Sequence, residues 1–365
     1  MNTKTHTARF LPKEGATAEY HILITVKNPA LSYARQLDAV LKACHVASVG
    51  RTIHFRRFFL SDAANQAWLL EQALKTLPYV PTSIVQQAPL DGTRIALWLY
   101  ATDPMGCETG APAHNGYAHH WAGSLTAPGK DSCAQMERIF SDFDKSLGGN
   151  GLSLANDTIR TWIFVRDVDT NYAGVVNGRR DYFARVGLTP DTHFIASTGI
   201  EGRHPDPKNL VEMDAYSVAG LQEKQIAFLH ARTHLSPTYD YGVTFERGTA
   251  LSYGDRRQVY ISGTASIDAS GQVLYPGNVV SQTGRMLKNV SALLSEAGAR
   301  LSDIAMAIVY LRDPADYTAV RPVIEDACPN LPALYVHGPV CRPAWLVEME
   351  CVALTPAGNP AFRTF

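Results

Sequence analysis

Two stretches of the chain are near copies: "NLVEMDAY" at 209–216 and "WLVEMECV" at 345–352. Each closes a block that opens with a Gln-led amphipathic helix and runs on through an Arg-Asp step. From Gln135 to Arg166 is 31 residues, and from Gln282 to Arg312 is 30. A repeat of this kind constrains the fold more than any other feature. One copy is a supersecondary unit that cannot bury its apolar face alone, so copies must close on one another.

The C-terminal copy is the clearest. "RRQVYISGTASID" (256–268) reads as a strand. "PGNVVSQTGRMLKNVSALLSEAGA" (276–299) reads as a helix, with Val280, Met286, Val290 and Leu293–Leu294 near a 3.6 period. "IAMAIVYLRD" (304–313) is a continuous apolar strand, and so a central one. "PADYTAVRPVIEDAC" (314–328) is a second helix. "PALYVHGPVCRPAWLVEMECVAL" (332–354) reads as a strand, a turn near Gly338-Pro339 and a final strand. The order β-α-β-α-β-β predicts an α+β sandwich with both helices on one sheet face.

Upstream, "CAQMERIFSDFDKSL" and "IRTWIFVRDVDTNYAGVVNGRRDYFARVG" align with the same elements. A fainter copy comprises "SYARQLDAVLKAC", "TIHFRRFFLSD", "AANQAWLLEQALKTL" and "RIALWLYATD". It carries no Glu where Glu212 and Glu348 stand. The expected layout is a tail (1–19), a degenerate first repeat (20–103), a second repeat (114–218), a linker (219–243), a third repeat (244–355) and a C-terminal tail (356–365). The three repeats are expected to form an intrachain pseudo-trimer, so that a monomer or a dimer replaces an obligate trimer.

Composition narrows the function. Hydrophobic residues make up 46% of the 365 and charged residues 18%, with a net charge of −1. No basic stripe exists to hold nucleic acid. No apolar run nears the ~18–20 residues that span a bilayer, and the polar N-terminus lacks a signal-peptide core. The six cysteines include no CxxC pair, so neither a zinc site nor a disulfide framework is expected, and the cytoplasm is the expected compartment. "HNGYAHHWAG" (114–123) reads as a strand entering the second repeat, with His119 and His120 on opposite faces, and not as a metal site. No cofactor is expected: "SGTASI" lacks phosphate-loop spacing and there is no nucleophile elbow.

A carboxylate inside an apolar strand is costly to bury. In "WLVEMECV", Leu346, Glu348 and Glu350 share one face, and Val347, Met349 and Cys351 take the helix-packed face. The first face must therefore look into a cleft or an interface between repeats. A carboxyl held against apolar walls there has a raised pKa and suits general-acid work near neutral pH. The competing structural reading pairs Glu348 or Glu350 with Arg342 or Arg312. Arg160 lies two residues before Trp162 on one strand face. That pair suits either the grip of a flat anionic ring or a surface Arg packed on the indole.

"SGTASI", "QTGRMLKNVSALLSEAGA", "VYLRDPADY" and "VEMECVAL" resemble the Rid superfamily, the reactive-intermediate imine and enamine deaminases and their relatives. The resemblance implies a chorismate-mutase-like α+β fold with ligand sites in clefts between neighbouring units. "RTW" at 160–162 and "VCRPAWLVEME" at 340–350 look most like the chorismatase branch, which splits chorismate into pyruvate and a hydroxybenzoate or cyclohexadiene acid. On that resemblance Glu348 falls on the catalytic acid. Arg160 falls on a carboxylate-gripping Arg, Arg247 near the Arg of a Phe-x-Arg element, and Cys341 on a pocket-lining position. Trp162 and Tyr216 complete the expected substrate-binding set, and the expected ligand is a small anionic metabolite. The deaminases carry an Arg shortly after a Pro-Ala pair, where this chain has Leu334 and Tyr335. Imine or enamine hydrolysis or tautomerisation is the second reading, and non-catalytic metabolite binding the third.

Overall fold

A computed structural model describes residues 2–365, apart from the side chain of Tyr241. The first unit contains β1 (Thr3–Phe10), β2 (Glu19–Val26), α1 (Tyr33–Ser48), β3 (Thr52–Leu60), α2 (Ala63–Leu74), β4 (Thr82–Gln86) and β5 (Ile95–Thr102). The second contains β6 (Gly106–Glu108), β7 (Ala111–His114), β8 (Tyr117–Leu125), α3 (Ser132–Gly148), the single turn α4 (Leu154–Asp157), β9 (Thr158–Val165), α5 (Val168–Arg185), β10 (Ala196–Glu201) and β11 (Val211–Ala219). The third contains β12 (Ile226–Leu229), β13 (Gly248–Ser252), β14 (Arg257–Ala265), α6 (Val279–Glu296), β15 (Ile304–Leu311), α7 (Tyr317–Ala327), β16 (Ala333–His337) and β17 (Val347–Thr355).

The sheets share one kernel. Its order is β2-β5-β3-β4 in the first unit, β8-β11-β9-β10 in the second and β14-β17-β15-β16 in the third. The helices start where short polar side chains can take up their free N–H groups. Asp62 accepts from Asn65 N ahead of α2, Asp131 from Ala134 N ahead of α3, and Asn278 from Ser281 N ahead of α6. Helices cover one face of each sheet. The other faces meet in a common core that takes Phe55 and Trp98 from the first unit, Trp121 and Trp162 from the second, and Tyr260 and Tyr310 from the third. The chain is thus an α+β pseudo-trimer closed within one polypeptide. Among the described residues no helix is long and apolar enough to cross a membrane.

Three segments differ from expectation. Residues 3–10, read as tail, form β1 and pair antiparallel with β2 along their whole length. The linker contributes β12, which pairs with β13 at the sheet edge. The C-terminal tail packs back, and Phe365 is buried against His119 and Tyr253. Each supplies backbone partners or apolar cover to an edge that one repeat leaves open.

The turn expected at Gly338-Pro339 is a crossover. β16 pairs parallel with β15, and β17 pairs antiparallel with β15 on its other side. Residues 338–346 therefore step over the end of β15 instead of closing a hairpin. That path carries Cys341, Arg342 and Trp345 to the boundary between the second and third units.

Candidate active site

The cleft lies where β10 and α5 of the second unit face β14 and β17 of the third. Glu348 lines it from β17, and Ser197, Thr198 and Gly199 line it from β10. Three arginines share the lining: Arg179 from α5, Arg247 from the start of the third repeat just before β13, and Arg342 from the crossover. Arg179 donates from Nε to Thr244 Oγ1 at 3.2 Å, and Arg247 from Nη2 to Ser236 O at 3.1 Å. Arg342 lies over the Trp345 ring, 5.3 Å from its centroid. The cavity volume is about 30 Å³, room for about two waters.

Glu348 is 5% exposed, and its carboxyl is pushed up to about 8. Burial is the main cause and the nearby charge of Glu350 the second; Arg247 and Arg160 pull the other way. At neutral pH it carries a proton. Gly263 on β14 makes room for it: a Cβ there would stand 2.2 Å from Glu348 Oε1. Cys341 is hydrogen-bonded to the Tyr172 side chain, and burial pushes its thiol up to about 12. A thiol in that state lines the wall and is no nucleophile at neutral pH.

Behind the cleft floor is a buried polar hub that joins all three units. Glu350 accepts from Arg160 Nη2 at 2.8 Å, from Trp162 Nε1 at 2.9 Å and from Thr198 Oγ1 at 2.5 Å. Arg57 of the first unit lies 3.9 Å from Glu350 and 2.7 Å from Asp214. These contacts correct three expectations. Arg160 and Trp162, each 1% exposed, do not line the cleft; they hold Glu350. A buried carboxylate needs charged and donor partners, and the inward phase of β9 offers these two. Tyr216 is also away from the cleft: its hydroxyl is 2.8 Å from His119 Nδ1 and its ring stacks on Trp121. Of the expected set, the structure gathers Glu348, Arg247 and Cys341 in the cleft. It adds Arg179, Arg342 and Tyr172.

Arg179 had a sequence signal. On α5 it stands four residues from both Val175 and Phe183, on the buried stripe. A charged residue at an apolar position of a helix faces a site or a partner. Arg342 was expected only as a structural partner of Glu348 or Glu350; the crossover brings it to the cleft.

The strand registers show why Glu212 is no second Glu348. Glu348 pairs with Tyr310, Glu212 with Phe164 and Ala96 with Phe59, at equivalent places in the three sheets. Glu212 is also buried and pushed up to about 8, by burial first and Asp214 second. But Ser124 stands where Gly263 stands, and its hydroxyl donates to Glu212 Oε1 at 2.5 Å. The counterparts of Arg179 and Arg342 are Leu74 on α2 and Asp206 before β11. The equivalent place is capped and lacks those cations. Among the described residues no group of His, Cys, Asp and Glu is arranged to hold a metal ion.

Comparison with known proteins agrees with this architecture. The family model described as Endoribonuclease L-PSP matches residues 250–355. The 3-aminoacrylate deaminase RutC of Acinetobacter baylyi is 35% identical over 97 residues, which are 26% of this chain and 77% of that protein. The chain therefore belongs to the Rid family. Over most of its length the fold matches a crystal structure of a chorismatase. The TM-score is 0.68 at 18% identity, and the match covers 93% of this chain and 100% of that one.

Proposed function

We propose that the protein is a chorismatase-like enzyme that cleaves chorismate, or a related enol-ether acid, to pyruvate and a hydroxybenzoate-type ring acid, with Glu348 as general acid. The observation that carries the reading is a buried carboxyl in a cleft shared with three arginines, where burial raises its proton affinity. The match in fold to a chorismatase supports it. Arg179, Arg247 and Arg342 suit a substrate with two carboxylates, which planar guanidinium forks bind with defined orientation.

The chemistry follows from the enol ether. Glu348 delivers its proton to the terminal CH2 carbon, and the C=C pair forms the new C–H bond. The adjacent carbon becomes an oxygen-stabilised cation. Water, or a hydroxyl of the ring, adds to it. With water, the bond between the hemiketal carbon and the ring oxygen breaks, giving pyruvate and a dihydroxycyclohexadiene acid; one water is consumed and the proton returns to Glu348, and loss of one water from that ring then gives the hydroxybenzoate. General-acid help of this kind is worth on the order of 10²–10⁴ in rate. A cavity of about 30 Å³ is too small for a ring acid, so entry requires the walls outside regular structure, the linker and the crossover, to part.

The RutC relationship favours one second reading, hydrolysis of an imine or enamine. Incubation with chorismate and assay of pyruvate tests the first. Release of ammonia from an enamine, without pyruvate from chorismate, would replace it by the second. Saturable binding without either product would leave a metabolite-binding protein.

A further inference from the structure

We propose that a second pocket, adjoining the cleft and sharing Arg247 with it, binds a small carboxylate. The pocket lies between the loop after α5 and the linker, and its cavity volume is about 140 Å³, several times that of the cleft. Arg247 lines both spaces and so forms part of the wall between them.

Three features define the ligand. Ser236, 3% exposed, lines the pocket, and its hydroxyl has no hydrogen-bond partner among the described residues. A buried hydroxyl of this kind is unfavourable unless a bound molecule satisfies it. Arg232 stands exposed at the rim and Arg247 buried at the back, so an anion meets cations at both ends. The opposing charge is Glu246, but its carboxylate is already engaged: it accepts from Phe194 N at 2.9 Å and lies 3.5 Å from His230 Nδ1. Pro190, Pro237 and Tyr239 supply flat apolar walls. The size and polarity fit a carboxylic acid of one small ring or less.

A shared guanidinium couples the two spaces. Arg247 is one of the charges that hold down the proton affinity of Glu348. A carboxylate on its far side offsets part of that charge, so the general acid keeps its proton to higher pH. The choice of acids, pyruvate or a hydroxybenzoate, rests on the function proposed above. The existence of the subsite does not, because the test needs no turnover.

The test is calorimetric titration of the full chain with pyruvate and, separately, with 3-hydroxybenzoate. At least one acid should bind saturably. Arg232→Glu should weaken it about ten-fold or more, as for a lost charged contact, and Arg342→Ala, at a residue that lines the cleft and not the second pocket, should leave it intact. Ser236→Ala provides the same reading should Arg232→Glu fail to fold. The acid that saturates identifies the source of the carboxylate. Binding lost in Arg342→Ala but kept in Arg232→Glu or Ser236→Ala would place the acid in the cleft and end the proposal, as would failure of both acids to saturate. Chorismate left uncleaved while binding persists would sink only the function proposed above.

Discussion

Glu348 and Glu350 stand two residues apart on one face of β17, yet their surroundings give them opposite roles. Glu350 accepts hydrogen bonds from Arg160, Trp162 and Thr198 and ties two units together. Burial is the main reason that Glu348 holds its proton more tightly than an ordinary carboxyl. Glu348→Gln keeps the shape but has no acidic proton; turnover should fall on the order of 10²–10⁴ with little change in KM. A variant with near-wild-type kcat would remove Glu348 from the chemistry. Arg160→Ala should act on stability instead, leaving a buried carboxylate without its main partner at a cost of about 3–5 kcal/mol. Urea denaturation measures this, and an unchanged midpoint with weakened substrate binding would restore Arg160 to the substrate. Glu350→Gln strips the same hub and should also lower the midpoint, so it is no neutral control for Glu348→Gln. The inward phase of both carboxyls was legible in the alternation of "LVEMECV". Their difference was not, since the partners of Glu350 lie 188 and 190 residues away in the chain.

At the scale of elements, equivalent strands in the repeats have diverged by single side chains. Ser124 on β8 caps Glu212, and Gly263 on β14 leaves Glu348 its space. Gly263→Ala should displace the Glu348 carboxyl and cost on the order of 10²-fold in kcat, as an ångström-scale misplacement does. Ala at the Ser124 position should leave activity alone. Equal activity in wild type and Gly263→Ala would show that the carboxyl has room to spare. The helices and kernel strands were readable because the 3.6 period of α6 and the apolar run of β15 are local patterns. The path of 338–346 was not, because a strand-turn-strand pattern does not say on which side of β15 each strand pairs. The cleft depends on that choice: a hairpin there would have kept Arg342 and Cys341 away from Glu348. β1 was missed because "TKTHTARF" is mostly polar, and an edge strand half open to water needs no apolar alternation.

At the scale of the whole molecule, three units closing one core within a chain remove the need for three chains. Light scattering should give a monomer or a dimer; an obligate trimer would oppose this. The same closure sets the pH dependence of stability. Glu212 and Glu348 have folded values of about 8 against an ordinary 4.5, so the folded protein holds their protons more tightly than the unfolded chain. Their contribution is fully present below pH 4.5 and is lost as pH rises toward 8. His21 and His54 are pushed down by burial to about 3 from an ordinary 6.5, and His119 is lowered in the same way. Their contribution is present above pH 6.5 and is lost as pH falls toward 3. His6, His120 and His204 are also lowered by burial and Asp214 and Asp316 also raised, so between 4.5 and 6.5 six histidines act against four carboxyls and stability should still rise with pH; above 6.5 the raised carboxyls outweigh the histidines, and it should fall. Melting temperature scanned from pH 4 to 9 should therefore peak at about 6.5. The double variant Glu212→Gln, Glu348→Gln should flatten the alkaline side and steepen the rise between 4.5 and 6.5, where these carboxyls no longer oppose the histidines. An alkaline loss that persists undiminished in the double variant would mean that these two carboxyls are not held protonated by the fold, and the general-acid assignment of Glu348 would lose its physical basis.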